Sequence, residues 1–137
     1  MHNPGPDPAA ASDSANNLAR KFQRELSAGL TSLVLLSVLA VADEDLYGYQ
    51  IARRLATADD DPGPFKQGAL YPVLRNMSAS GLLSSRVVPS YSGPPRRYYR
   101  ITPLGRQVLQ SWQDAWISTR EFVDSIVSAT SPQEKGP

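Results

Sequence analysis

Leu30 to Ala42 is a run of 13 residues without a charge, interrupted only by the hydroxyls of Thr31, Ser32 and Ser37. A helix that is apolar on nearly every side has to be enclosed by the rest of its chain, and this run is too short to span roughly 30 Å of hydrocarbon. It predicts a buried helix, with no membrane span. The chain has 137 residues, enough for one domain with a modest core and too few for two cores of ordinary size. A composition of 41% apolar and 20% charged residues is that of a soluble globular protein. No basic region leads into an apolar one at the N-terminus, so no secretory signal is visible and a cytoplasmic location is expected.

Around that run the chain divides by composition. Residues 1–16 are rich in Pro, Ala, Ser and Asn and read as a disordered tail, because they offer too little apolar surface to order themselves. Residues 129–137 read as a second flexible tail. The first helix is expected from Asn17 or Leu18 to about Ala42, with Gly29 as a point where it could divide. A second helix follows, with Asp45 or Asp43 as its N-cap and Tyr47, Ile51 and Leu55 in one stripe. "DDDPGP", Asp59 to Pro64, breaks the chain. A third helix, about Gln67 to Ser80, places Leu70, Val73, Leu74 and Met77 on one face and Gln67, Tyr71, Arg75 and Ser78 on the other. Pro72 must lie near its start or kink it, and Gly81 ends it. Leu83 to Ser90 and Arg96 to Ile101 form a hairpin, and of Tyr98 and Tyr99 one should face the core. Thr102-Pro103 starts a last helix that runs to about Ser128.

Chemistry is constrained by what the chain lacks. It has no cysteine and a single histidine, His2, in the tail, which leaves no metal cluster, catalytic thiol or histidine-based triad. There is no Gly-rich phosphate loop either, so neither an enzyme nor a cofactor is expected. The net charge of +1 conceals an uneven distribution. From Pro62 to Arg106 stand Lys66, Arg75, Arg86, Arg96, Arg97, Arg100 and Arg106, with no Asp or Glu among them. Such a stretch is an electrostatic footprint for a polyanion.

Helix, helix, turn, helix, hairpin, helix is the order of a winged helix-turn-helix, so the expected fold is mainly α with a small β-hairpin wing. Its third helix enters the major groove while the wing reaches the neighbouring backbone. Residues 17–106 would form this DNA-binding unit. The candidate DNA contacts are Lys66, Gln67, Tyr71, Arg75, Gly93, Arg96 and Arg97. Tyr71 could instead pack over a helix start, and Arg75 could be merely solvated.

The motifs "LYGYQI" (Leu46 to Ile51), "GALYPVLRNM" (Gly68 to Met77), "SGLL" (Ser80 to Leu83) and "PPRRYYRITPLG" (Pro94 to Gly105) together resemble the PadR family of transcriptional regulators over about Leu26 to Val127. The resemblance implies a dimeric winged-helix repressor that often senses a small molecule and dimerises through its last helix. A single C-terminal helix resembles the family's smaller subgroup. Ala69 stands where the family usually has Thr or Ser, and Met77 to Ser80 lacks the acid common before the Gly.

In the last helix Leu109, Trp112, Trp116, Thr119, Val123 and Ile126 alternate spacings of three and four, a seam that favours a helix partner. Residues 107–128, helped by the first helix, are therefore expected to form a homodimer on double-stranded palindromic DNA. Trp112 and Trp116 could sandwich a flat aromatic effector or be plain interface core. By resemblance, Trp116 matches a Trp of multidrug-sensing relatives, eleven residues after Gly105. The rival reading is a winged-helix adaptor that grips another protein and binds no DNA.

Overall fold

The computed structural model describes Gly5, residues 8–56, Phe65 and residues 67–130. Among the described residues, four helices and three strands follow in the order α1 (Pro8–Ala42), β1 (Leu46–Tyr47), α2 (Gly48–Leu55), α3 (Gln67–Ala79), β2 (Leu83–Val88), β3 (Arg96–Ile101) and α4 (Pro103–Ser128). The sheet is antiparallel throughout, in the order β1-β3-β2. The fold is thus mainly α with a small wing, as expected.

Leu35, Leu36 and Leu39 of α1 are fully buried and form the centre on which everything else packs. Ile51 of α2, Leu70, Leu74 and Met77 of α3, Leu83, Tyr99 and Ile101 of the sheet and Leu109 of α4 close around them. Truncating such a side chain removes its burial and leaves a cavity. Leu36→Ala and Leu74→Ala are each expected to cost about 2–5 kcal/mol, read as a loss in chemical denaturation.

α1 starts at Pro8, not at Asn17, and it passes through Gly29 without a break. The part expected to be a tail is helical from residue 8 onward, although every residue from 8 to 26 is exposed. Local propensity accounts for this: Pro8 stands at the first helical position, and Ala9, Ala10, Ala11 and Ala15 are the best helix formers. Residues 1–4, 6 and 7 of the expected tail and the "DDDPGP" segment lie outside the described residues, as do residues 131–137.

α2 is not capped by Asp43 or Asp45. Its N-cap is Tyr47, whose amide donates to Gln50 Oε1 at 3.1 Å, and Leu46 and Tyr47 form β1 against Tyr99 and Tyr98. Pro72 lies inside α3 with its ring exposed. The hairpin falls where expected, with Tyr99 buried and Tyr98 half-buried. At the start of α4, Gly105 N donates to the Thr102 hydroxyl at 3.0 Å, the cap foreseen from Thr102-Pro103.

Candidate nucleic-acid interface

β1 brings acids to the basic strands. Arg86 Nε donates to Asp45 Oδ2 at 2.7 Å, and Arg100 Nη1 to Asp45 Oδ1 at 3.4 Å. Arg100 Nη2 donates to the Asp43 carbonyl at 3.1 Å, and Arg106 Nη2 to Asp43 Oδ1 at 2.6 Å. Three of the seven cations in the acid-free stretch are therefore paired with two carboxylates from outside it, which corrects its reading as one continuous basic footprint.

Hydrogen bonding to Arg86 holds the Asp45 carboxyl below its ordinary value, with Arg100 adding to the effect and partial desolvation opposing it. A depressed folded-state value contributes stability that is present above the unfolded value, about 3.9, and lost as pH falls through the folded one. Thermal melts should therefore show the wild type losing stability below about pH 4, with a shallower acid slope for Asp45→Asn.

The cations left over converge. Arg75 from α3 and Arg96 and Arg97 from the wing line one cleft of about 490 Å³, together with Tyr47, Tyr49, Tyr71 and Gly93. Arg96 lies 4.6 Å above the Tyr47 ring, which meets Tyr98 edge-on at 5.3 Å. Arg97 Nη1 donates to Ser85 Oγ at 3.3 Å. Burial pushes the Tyr99 phenol up, while Arg97 and Arg75 both pull it down. Helix and wing cations thus act on the same phenol. Gly93 is exposed in the wing turn. Lys66 lies outside the described residues, and Gln67 is the first residue of α3.

The polar column expected on α3 is rearranged. Tyr71 and Arg75 are exposed, but Ser78 is half-buried and its hydroxyl donates to Ser85 Oγ at 3.3 Å. At about 100° per residue, the open face is centred between Tyr71 and Arg75 on one flank and Ala69 and Asn76 on the other. Asn76 stands outside the three-and-four column through Arg75, so periodicity alone does not point to it. Its exposed amide can pair with an adenine edge.

Tyr71 packs over Gly48 of α2 rather than over its own helix start. A Cβ on Gly48 would overlap its ring and stand 2.7 Å from its hydroxyl. That end of the side chain can swing outward, and alanine favours the helix by up to about 1 kcal/mol over glycine. Gly48→Ala is expected to leave the melting temperature unchanged or slightly raised and to lower DNA affinity by displacing Tyr71, as anisotropy would show.

A second concavity, about 790 Å³, lies between α1 and α4 and is lined by Phe22, Leu26, Leu30, Trp112, Trp116 and Val123 among others. The expected seam separates along α4. Leu109 is 6% exposed and belongs to this chain's own core, which removes it from the set available to a partner. Trp112 and Trp116 are half-buried, and Thr119, Val123 and Ile126 are exposed. Phe122, also exposed, belongs with the outer group, as do Leu18 and Phe22 on α1.

Helices around the buried C-terminal part of α1, a three-stranded wing, and one cleft shared by wing and third-helix arginines define a winged helix-turn-helix protein. A model of the transcriptional regulator PadR-like family matches residues 35–111 of the 137, and the chain belongs to that family. It is 38% identical over 93 residues to a transcriptional regulator of Mycobacterium tuberculosis, covering 66% of this chain and 75% of that protein. The crystal structure of a PadR family transcriptional regulator from Eggerthella lenta superposes with a TM-score of 0.65 at 29% identity, covering 87% of this chain and 96% of that one. A transcriptional regulator from Clostridium thermocellum gives 0.65 at 25% identity over 75% and 98% of the two chains. The protein is a transcription regulator and not an enzyme.

Proposed function

We propose that the chain is a cytoplasmic, sequence-specific regulator that binds double-stranded DNA as a homodimer and represses from a palindromic operator. The observation that carries this reading is the cleft where Arg75, Arg96 and Arg97 converge beside the open face of α3, while Arg86, Arg100 and Arg106 are held by acids. Cations kept apart from carboxylates at a helix face and a wing suit phosphates on either side of a groove. A planar aromatic effector fits the α1–α4 groove, where the two indoles offer stacking faces. Its binding would bias the spacing of the two wings.

Fluorescence anisotropy against DNA from upstream of the protein's own gene, with random DNA as control, tests the reading across a salt titration. Preference for the upstream fragment with a steep negative slope in log salt is expected. Arg96→Ala with Arg97→Ala should weaken binding to all DNAs and reduce that slope by about 3.6, near 0.9 for each of the four phosphates that the two protomers no longer neutralise. Absence of binding at low salt would sink the DNA reading. The exposed apolar end of α4 would then favour the protein-gripping adaptor.

A further inference from the structure

Among the described side chains, part of the open face of α3 presents carbon where a recognition helix is expected to present hydrogen-bonding groups. Among described side chains that face runs from Tyr71 through Arg75, Gly68, Ala79, Pro72 and Asn76 to Ala69, all of them exposed. Its polar members stand on one flank, Tyr71 and Arg75, and a turn further along, Asn76. The advancing N-terminal part between them is Gly68, Ala69 and Pro72, none of which has a side-chain donor or acceptor. Nothing lies within 4 Å of the place a Cβ would occupy on Gly68. The helix therefore has no bulk there to hold it away from a base edge, and the methyl of Ala69 and the ring of Pro72 stand beside that gap.

A major groove offers such a surface one apolar feature, the C5-methyl of thymine. Every other base edge there carries donors or acceptors, which contact with carbon would strip of water without replacing it. We propose that Ala69 and Pro72 together read the 5-methyl group of one thymine in each operator half-site, making Ala69 a specificity-determining residue. This rests on the DNA-binding reading above. It assigns discrimination at that base pair to apolar contact and to rejection of unpaired polar edges, and leaves phosphate affinity to Arg75, Arg96 and Arg97.

The test uses the full chain and a duplex enriched by it from a random library. Each thymine is replaced in turn by deoxyuridine, which removes the methyl and leaves every hydrogen-bonding group in place. One thymine per half-site should respond, with affinity falling about fourfold for one half-site and about fifteenfold for both, the effect of one buried methyl each. Ala69→Gly should discriminate less than wild type between the thymine and deoxyuridine duplexes, since only Pro72 then meets the methyl, while Ala69→Ser, which keeps the Cβ and adds a hydroxyl, should shift the preferred base at that pair. An enriched duplex that tolerates deoxyuridine at every position would overturn the inference and leave the DNA reading intact. Failure to enrich any sequence would overturn sequence-specific binding, and the inference with it.

Discussion

Gly105→Ala is expected to destabilise the fold by about 2–4 kcal/mol, the range for forcing extra carbon into a packed backbone junction. A Cβ there would overlap the Leu82 carbonyl oxygen and stand 2.8 Å from Ile101 Cγ1. Neither neighbour can move cheaply. The Leu82 carbonyl already accepts from Thr102 N at 3.1 Å, and the Thr102 hydroxyl donates to the Gly81 carbonyl at 2.6 Å. Leu82 N is bonded to Met77 O at 2.9 Å. The end of α3, the first residue after its turn and the cap of α4 are thus tied at one point, with Gly81 in a left-handed conformation at φ 84°. Moving Leu82 would disturb all of these bonds and the core beneath them. A drop of roughly 10 °C in melting temperature would accompany the loss, with near-wild-type DNA affinity for whatever remains folded. A melting temperature within error of wild type would show that α4 can tilt away from Leu82. At Gly48 the added methyl instead meets the far end of a tyrosine side chain, so function changes before stability does.

What the sequence discloses follows from the range of the interactions involved. The start of α4, the end of α3 and the hairpin turn are written locally, in Thr102-Pro103, Gly81 and Gly93-Pro94-Pro95, so the winged fold is legible from motif order alone. β1 is two residues long, and what makes it a strand is the pairing of Leu46 with Tyr99 and Tyr47 with Tyr98. That pairing is invisible to periodicity. The same strand decides the electrostatics: Asp45 meets Arg86 and Arg100 from 41 and 55 positions away, so a linear charge count attributes to the DNA surface three arginines that brace the sheet and α4. The open face of α3 is likewise set by where α1 and the sheet press on it, which turns Ser78 toward Ser85 and leaves Asn76 outward. At the N-terminus the error runs the other way, since α1 extends through Ala-rich residues that bury nothing.

Phe122→Glu combined with Ile126→Glu is expected to produce a folded monomer whose operator affinity is lower by about two to four orders of magnitude, the advantage conferred by linking two half-site contacts. Both side chains are more than half exposed in the single chain, at 67% and 57%, and belong to none of its core. Circular dichroism and the melting profile of the monomer should therefore survive the substitution. In a dimer seam the same positions would place carboxylates against apolar neighbours, which is costly without a partner cation. Sedimentation should show the loss of the dimer, and titration of an isolated half-site should show little change, because Arg75, Arg96, Arg97 and the open face of α3 are untouched. These two readouts separate the seam from the DNA surface. If the variant stays dimeric, the end of α4 does not form the seam and the partner must cover Leu18, Phe22 and Leu26 of α1 instead. If it is monomeric yet binds the full operator as tightly as wild type, the two half-sites are not read by one dimer, and the symmetric operator is wrong.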